Sequence, residues 1–334
     1  MNQTTTSGEL ERIREAILSR QRFLITSHAR PDGDSIGSQL AMAFALDALG
    51  KTVRIVNSDA APDHYQEFPG MERIEIASAV SRPDVDAVIV MECSDLSRTG
   101  VGGLEGQFIL NIDHHAGNRM YGAVNWYDIS AAACGEMVFD VIASLGVPLT
   151  REIATHIYLA ILTDTGSFHH SNITPRTFDI CRQCVDAGVN PAVMARRVFD
   201  SNSFGKLKLI GALLDDMELV DEGRLAVLHL DDEMLKTTGS TQNDTEGLIN
   251  LPLTAREIQA VVFFKLGADG IVRVSMRSKY DVDVREVAAS YGGGGHKNAA
   301  GFTAPGNVAD VKDEIIGRLV GAISKGLQSR PETS

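Results

Sequence analysis

The sequence is poor in cysteine and tryptophan, and no long apolar run occurs in it. Its 334 residues include 4 cysteines and 1 tryptophan. So few cysteines do not form the disulfide framework of a small secreted protein, and a reducing compartment suits them. No apolar run approaches the roughly 18 residues that a membrane-spanning helix needs. The first residues also lack the basic start and apolar core of a secretory signal, so we expect a cytoplasmic protein that does not bind a membrane.

Positive charge is also in short supply. The chain has 31 Lys and Arg against 44 Asp and Glu, a formal net charge of −13. Proteins that bind long nucleic acids gain most of their affinity by neutralising phosphates with Lys and Arg. We therefore do not expect a surface for long duplex nucleic acid. A small anionic substrate remains compatible, because a bound divalent cation can reverse the electrostatics of its site.

One cysteine pair, Cys181 and Cys184, forms a CxxC motif, which is typical of redox or zinc sites. The surrounding sequence FDICRQCVDAG is typical of a helix. No second CxxC exists and no histidine joins the pattern. The motif therefore favours ordinary helix cysteines over a redox or zinc site.

The N-terminal half alternates short apolar, β-branched segments with helical patterns. Strands are predicted at 23–26, 52–56, 86–91 and 108–112. Helices are predicted at 36–49, 133–145, 151–163 and 175–187, where apolar residues recur three and four positions apart. This alternation predicts an α/β domain with a doubly wound, mainly parallel sheet.

The length favours two domains rather than one. Residues 191–217 read as one or two helices with a polar break at 200–203. Beyond them the sequence predicts strands at 225–230, 258–266 and 271–278, with GADG as a hairpin turn between the last two. Helices at 284–291 and 308–325 complete a smaller, mixed-sheet α/β domain. We expect a first domain at 1–188, a helical linker at 189–217 and a second domain at 218–334.

Acidic residues and histidines follow three of the predicted strands. They are His28, Asp32 and Asp34 in the segment HARPDGDSIGS, Glu92 after the third strand, and Asp113, His114 and His115 after the fourth. A further acid, Asp164, ends a helical segment. Ligands of open parallel sheets bind at the carboxyl ends of the strands. We therefore expect the three strand-end groups to share one edge of the sheet.

Four carboxylates at one edge would repel one another and raise some of their pKa values. Two divalent cations would cancel their formal charge. Carboxylates with some imidazole suit Mn²⁺ or Mg²⁺, although Zn²⁺ and Co²⁺ also accept them. Each group alone is compatible with a turn, a helix cap or a surface loop. Their joint occurrence at three strand ends favours a two-metal site that activates water for phosphoryl chemistry.

Together with LTDTGSF at 162–168 and GGGGHKNAAGF at 292–302, these segments resemble the DHH phosphoesterase family. The similarity is closest to its bacterial branch of oligoribonucleases, the nano-RNases, which also remove the 3′ phosphate of 3′-phosphoadenosine 5′-phosphate. It covers nearly the whole chain, with the motifs in the family's order. The resemblance implies a catalytic metal-binding DHH domain, a linker, a DHH-associated domain that holds the substrate, and an active site in the cleft between the two domains.

The resemblance also implies the roles of residues. It assigns His28 and Asp32 to one metal, Asp34, His114 and Asp164 to the other, and Glu92 to a bridge between both. The family usually has aspartate at the bridging position, so Asp95 is the alternative to Glu92. His115 would lie beside the scissile phosphate, with Asp113 steadying the neighbouring histidines.

Substrate contacts are expected mainly in the second domain. Consecutive glycines, here Gly293, Gly294 and Gly295, let backbone N–H groups approach an anion, although a plain flexible loop is the alternative. His296 and Arg277 would contact a phosphate or nucleobase. Arg98 resembles an arginine common in its motif, and a salt bridge within the loop is the alternative. Lys297 and Asn298 are weaker candidates.

The function implied is metal-dependent hydrolysis of short oligoribonucleotides to mononucleotides, and of 3′-phosphoadenosine 5′-phosphate to AMP. Two cations are expected, with Mn²⁺ ahead of Mg²⁺ and Co²⁺. The alternatives are a phosphodiesterase for linear or cyclic dinucleotide signals such as pApA and cyclic di-AMP, and a non-catalytic nucleotide sensor. The direction of degradation and the oligomeric state stay open, with a homodimer as one alternative.

Overall fold

The structure is a computed structural model that describes residues 3–81, 84–200, 202–245, 247–267, 270–305 and 308–328. The chain divides into two compact units, residues 1–201 and 202–334. This division lies inside the segment expected to link two domains. Within the described ranges, no helix is both long enough and apolar enough to span a bilayer.

The first unit is a parallel six-stranded sheet with helices. Its strands are β1 (Arg22–Thr26), β2 (Thr52–Asn57), β3 (Ile74–Ile76), β4 (Ala87–Met91), β5 (Ile109–Asp113) and β6 (Val124–Tyr127). Its helices are α1 (Gln3–Leu18), α2 (Gly33–Ala48), α3 (Cys134–Ser144), α4 (Arg151–Asp164), α5 (Pro175–Asp186) and α6 (Pro191–Phe199). The strand order is β3-β2-β1-β4-β5-β6. The predicted α/β fold is confirmed, together with the four strands and four helices expected in this half.

The strand order determines where a ligand can bind. The chain runs outward from β1 through β2 to β3, and then returns to place β4 on the other side of β1. The gap between β1 and β4 is therefore the point at which the sheet changes direction, which is where ligands bind in this class of fold. All five residues of β4 and all five of β5 are buried, so only their ends can present side chains to a ligand.

Helices α2 and α4 pack closely enough to exclude a side chain between them. A Cβ on Gly37 of α2 would lie 2.9 Å from the backbone nitrogen of Ala160 in α4. Cys181 and Cys184 lie buried in α5, and burial raises the pKa of both thiols to about 12. Such thiols are poor nucleophiles and poor metal ligands at neutral pH, as expected for structural cysteines.

A buried histidine in α4 makes the stability of this unit sensitive to acid. His156 is fully buried, contacts the Pro69 carbonyl oxygen through Nε2 at 2.8 Å, and burial lowers its pKa from 6.5 to about 4. Between these two pH values the unfolded chain binds a proton that the folded chain does not, so stability falls as pH falls from 6.5 to 4. We expect this histidine to contribute a loss of about 3 kcal/mol across that window.

The measurement is the free energy of unfolding in urea at pH 7, 5.5 and 4 for the wild type and for His156→Gln. Glutamine keeps an N–H donor for Pro69 but does not titrate. The difference in free energy between the two proteins should therefore shift in favour of the variant as pH falls. A difference that is constant over the three pH values would contradict the assignment.

The second unit is a mixed sheet with helices. Its strands are β7 (Glu218–Val220), β8 (Leu225–Leu230), β9 (Ala260–Leu266), β10 (Ile271–Ser278), β11 (Gly294–His296) and β12 (Ala299–Pro305). Its helices are α7 (Phe204–Asp215), α8 (Asp232–Thr238), α9 (Arg285–Ala289) and α10 (Val308–Gln328). The sheet order is β11-β12-β10-β9-β8-β7, with β8 and β9 parallel and the other pairs antiparallel.

The mixed sheet predicted for this half is confirmed, with its three strands and two helices. Strands β9 and β10 pair antiparallel as a hairpin would, but residues 268 and 269 of the predicted GADG turn lie outside the described residues. The glycine run differs from the expectation of a loop. Gly294–His296 is a short strand that pairs with β12.

Candidate metal centre

The ends of β1, β4 and β5 bring acids and histidines to one edge of the sheet. These strands are parallel neighbours, so their carboxyl ends lie side by side. Glu92 directly follows β4, and His114 directly follows β5. Asp34 lies in the first turn of α2, and Asp164 is the last residue of α4.

The His114 imidazole lies among three carboxylates. Its Nε2 is 2.8 Å from Glu92 Oε1, 3.7 Å from Asp164 Oδ2 and 3.8 Å from Asp34 Oδ2. Two groups of potential metal ligands result, each with its ligand atoms within 4.8 Å of one another. One group is Glu92, His114 and His115, and the other is Asp34, His114 and Asp164. His28 and Asp32 lie outside both groups and pair with each other at 3.6 Å.

Two histidines are oriented as metal ligands usually are. His28 contacts the Ala29 carbonyl oxygen through Nδ1 at 2.8 Å, and His114 contacts the Ala131 carbonyl oxygen through Nδ1 at 3.0 Å. A carbonyl accepts, so Nδ1 carries the proton in each ring. Nε2 then faces the carboxylates and can exchange its proton for a cation, while the contact at Nδ1 fixes the tautomer of the ligating histidine.

The Glu92 carboxylate has an oxygen without a hydrogen-bond partner. Its side chain is almost completely buried, and within the described part of the chain Oε2 accepts no hydrogen bond. His115 Nδ1 lies 3.4 Å away but donates to Asp113 Oδ1 at 2.9 Å. Buried oxygens of this kind almost always have a partner in native proteins. The residues therefore fit a divalent cation, which would satisfy Oε2.

The pKa values of the group reflect its crowded negative charge. Burial, and then the charges of Glu92 and Asp164, raise the pKa of Asp34. Burial also raises the pKa of Asp164, to about 6. For His114, burial opposes the charged form, but the hydrogen bond and charge of Glu92 outweigh it and raise the pKa to about 11. Without cations the group thus takes up protons to relieve repulsion, and cations would relieve it in the same way.

One short segment, residues 131–135, positions ligands from three elements. The Asp34 carboxylate accepts hydrogen bonds from the backbone N–H groups of Cys134 (2.7 Å) and Gly135 (3.0 Å). The Ala132 carbonyl accepts from Asn172 Nδ2 at 2.8 Å, and the same amide lies 3.4 Å from the Asp164 carbonyl oxygen. Since Ala131 also orients His114, a displacement of this segment would displace three ligands at once. Sequence analysis did not find Asn172, because its partners are distant in sequence.

The Asp113 carboxylate orients His115 and is itself fixed. Asp113 is fully buried, and Asn118 Nδ2 donates to its second oxygen at 2.6 Å. Nδ1 of His115 therefore donates its hydrogen bond to Asp113, and Nε2 of the same ring can contact a ligand. The His115 side chain is 36% exposed, so a substrate can reach it.

Asp95 and Arg98 lie in the loop after β4. Asp95 accepts from the backbone N–H of Ser97 at 2.9 Å and pairs with Arg119 at 2.6 Å. The structure thus places Glu92, and not Asp95, against the histidines. Arg98 is exposed and donates to Ser94 Oγ at 3.0 Å.

The second unit places Arg277 and His296 on neighbouring parts of its sheet. Arg277, in β10, is half-buried and donates to the carbonyl of Met276 at 3.0 Å. His296, in β11, is exposed. The weaker candidates have structural partners: Lys297 pairs with Asp281, and Asn298 donates to Ser278 Oγ at 2.9 Å.

Two glycines of the run, Gly293 and Gly295, are required by the neighbouring strand β12. A Cβ on Gly293 would collide with the Gly301 carbonyl oxygen and the Phe302 side chain. Gly295 has a φ of +141°, and a Cβ there would collide with the Ala299 carbonyl oxygen. Close pairing with β12 explains these two positions. A Cβ on Gly294 would have none of the described atoms within 4 Å.

The curated relatives of the chain include several proteins whose names state the same function. The chain is 34% identical over 284 residues to the bifunctional oligoribonuclease and PAP phosphatase NrnA of Thermus thermophilus, covering 84% of each chain. It is 26% identical over 285 residues to the protein of the same name from Bacillus subtilis, covering 84% of this chain and 88% of the relative.

Solved structures share the fold. An exopolyphosphatase-related protein from Bacteroides fragilis superposes with a TM-score of 0.89 at 23% identity, covering 97% of this chain and 98% of the other. RecJ from Thermus thermophilus, solved in complex with Mn²⁺, gives a TM-score of 0.54 at 13% identity and covers 96% of this chain and 55% of its own.

Family models match both units. The N-terminal domain of the DHH family matches residues 22–161, and the DHHA1 domain matches residues 225–325. The first match contains five of the six predicted metal ligands, and Asp164 follows it by three residues. The second contains Arg277 and the glycine run. The chain therefore belongs to the DHH family and combines its N-terminal domain with a DHHA1 domain.

Proposed function

We propose that the protein is a metal-dependent phosphoesterase that hydrolyses short oligoribonucleotides to mononucleotides and 3′-phosphoadenosine 5′-phosphate to AMP. The observation that carries the proposal is the position of His114 Nε2 among three carboxylates, within 3.8 Å of each. The names of the curated relatives support the substrate class.

Six residues would hold two divalent cations: His28, Asp32, Asp34, Glu92, His114 and Asp164. Glu92 directs one carboxylate oxygen toward His114, and its other oxygen accepts no hydrogen bond from the described residues, which would suit this side chain to bridge the two ions. When bound, such a pair of cations activates a water and stabilises charge on the transferring phosphoryl group. Mn²⁺ suits this mixture of carboxylate and imidazole, with Mg²⁺ and Co²⁺ as alternatives.

The residues around the ions have separate tasks. Asp113 holds the His115 ring by Nδ1, so that Nε2 can donate to a phosphoryl oxygen as charge develops on it. Asn118 prevents the Asp113 carboxylate from turning away. Arg98, in the exposed loop after Glu92, would contact a phosphate of the substrate.

The second unit would bind the substrate away from the reacting phosphate. The Arg277 guanidinium donates one hydrogen bond to the Met276 carbonyl of its own strand, and its remaining N–H groups would contact the substrate. His296 and the backbone of Gly293, Gly294 and Gly295 would complete the contact. The formal net charge of −13 disfavours long nucleic acid polymers as substrates.

The experiment that tests the function is a panel of substrates incubated with purified protein and Mn²⁺. The panel contains RNA of two to about 24 nucleotides, pAp, pApA and cyclic di-AMP, chosen because each presents phosphates to such a site differently. We expect the highest kcat/KM with the shortest RNAs and pAp. Faster hydrolysis of cyclic di-AMP or of the longest RNA than of these would contradict the proposed substrate class.

Arg277→Ala should weaken substrate binding more than catalysis. Loss of a charge-assisted hydrogen bond to phosphate should raise KM for pAp about 10- to 100-fold. The measurement is steady-state hydrolysis of pAp, together with Mn²⁺ binding by calorimetry, which should not change. Arg273→Ala, four residues earlier in the same strand, is the matched control. An unchanged KM for Arg277→Ala would remove this residue from the substrate site.

A further inference from the structure

Glu92 has a backbone conformation that few residues with a side chain adopt. Its φ is +58°, in the left-handed region where a Cβ crowds the following carbonyl. The residue is also buried, and its N–H donates to the Ile112 carbonyl at 3.1 Å. A strained conformation of this kind persists only where neighbouring groups fix it. The groups that fix Glu92 therefore decide where its carboxylate points.

Hydrogen bonds fix the chain on both sides of Glu92. The Asn111 side-chain amide lies 3.3 Å from the Val90 carbonyl oxygen and 3.2 Å from the Cys93 carbonyl oxygen, and it donates toward both. The Tyr121 hydroxyl donates to the same Cys93 carbonyl at 2.8 Å. Asn111 thus binds carbonyl groups two residues before and one residue after Glu92, and Tyr121 binds the second of them.

These two side chains also fix each other. Asn111 Nδ2 lies 3.0 Å from the Tyr121 hydroxyl oxygen, and Asn118 Nδ2 donates to Asn111 Oδ1 at 2.8 Å. The same Asn118 amide donates to Asp113, which orients His115. Asn111 is completely buried within the apolar strand β5, where a polar side chain costs free energy unless its hydrogen bonds are made.

We infer that Tyr121 and Asn111 are positioning residues of the metal centre, which hold the backbone of Glu92 left-handed so that its carboxylate faces His114. The hydrogen bonds described above connect Tyr121 with the backbone at Cys93 and with Asn111, and so it acts on the centre through residue 92. Its effect on catalysis requires Glu92 to be a metal ligand, so the inference rests on the proposed function.

Tyr121→Phe tests this inference, because it removes the hydroxyl and keeps the ring. In metal-free protein, we expect amide hydrogen exchange in residues 91–95 to become about tenfold faster, and exchange in 131–135 to stay unchanged. Mn²⁺ binding measured by calorimetry should weaken about tenfold, which is the usual effect of losing a group that orients a ligand. kcat for pAp should fall at a fixed, subsaturating Mn²⁺ concentration, with KM for pAp unchanged.

Two comparisons separate a positioning role from a general loss of stability. Tyr158→Phe, in α4, is the matched control and should leave Mn²⁺ affinity unchanged. In a Glu92→Ala background, Tyr121→Phe should weaken Mn²⁺ binding no further, because the ligand through which it acts is gone. Equal losses of affinity in both backgrounds would overturn the inference.

The outcomes also separate this inference from the proposed function. A wild type that binds no Mn²⁺ would overturn both. Suppose that the wild type binds Mn²⁺ and hydrolyses pAp, and that Tyr121→Phe has the same amide exchange rates, Mn²⁺ affinity and kcat. This result would overturn the positioning role alone.

Discussion

His114→Ala should abolish hydrolysis of pAp and of short RNA while leaving the protein folded. Among the described residues, His114 is the one residue common to both groups of potential metal ligands, so its replacement removes one ligand from each group. Loss of a group that only orients a metal ligand typically lowers affinity or activity 10- to 100-fold. Loss of this shared ligand should therefore lower kcat/KM by more than about 100-fold. The measurement is kcat/KM with saturating Mn²⁺, alongside circular dichroism to establish that the fold is kept.

His64→Ala is the matched control for this variant. His64 lies in the short helix Asp63–Tyr65, where its ring contacts Tyr65, and it belongs to neither group of ligands. Its replacement should leave kcat/KM within about twofold of wild type, as expected for a surface change away from the site. Turnover by His114→Ala at a rate near that of the control would show that the ligand assignment is wrong.

Removal of metal should lower the thermal stability of the first unit by a large amount. Without cations, the buried carboxylates of Asp34 and Glu92 repel each other, and burial raises the pKa of Asp34. An ion present at 100 times its Kd stabilises the folded state by about 2.7 kcal/mol. For a unit of about 200 residues this corresponds to a rise of roughly 5–10 °C in Tm for each ion.

The measurement is calorimetric unfolding of protein treated with a chelator and then titrated with MnCl₂. Asp164→Asn offers an internal comparison. Its neutral side chain should relieve repulsion in the metal-free protein and weaken metal binding, so the gain in Tm on adding Mn²⁺ should be smaller than in wild type. A wild-type Tm that does not respond to Mn²⁺ would contradict the presence of the site.

The fold could be predicted from the sequence where the signal is local. Strands β1, β4 and β5 are mainly apolar because they are buried on both faces, and α2 and α4 keep helical periodicity. Strands β3 and β6 were not predicted, because edge strands of three or four residues carry almost no pattern. Helix α1 was not predicted either, since its first turns are polar and only a few apolar residues near its end pack on the core.

The candidate site could be predicted only in part. Its chemistry is visible in the sequence because carboxylates and histidines follow successive strands, and the sheet geometry brings those positions together. The groups that hold the ligands in place were not predicted. Asn172 and Tyr121 act through backbone carbonyls far away in sequence, and no local pattern marks such contacts. Asn111 did leave a signal, as a polar residue inside the apolar run FILNI.

The glycine run illustrates how one pattern allows two physical explanations. Consecutive glycines suit a flexible loop that approaches an anion, and they equally suit a strand whose neighbour leaves no room for a Cβ. The structure selects the second explanation for Gly293 and Gly295, which lie against β12. Contact of this strand with a substrate phosphate remains a proposal.

The number of Mn²⁺ ions bound per chain tests the account most directly. Wild-type protein, stripped with chelator and equilibrated with Mn²⁺, should hold two ions per chain by elemental analysis after dialysis, because the four carboxylates need two divalent charges for neutrality. Glu92→Ala, which lacks the proposed bridge, should hold fewer. Protein that carries no ion as purified, and that takes up none at millimolar Mn²⁺, would contradict the account.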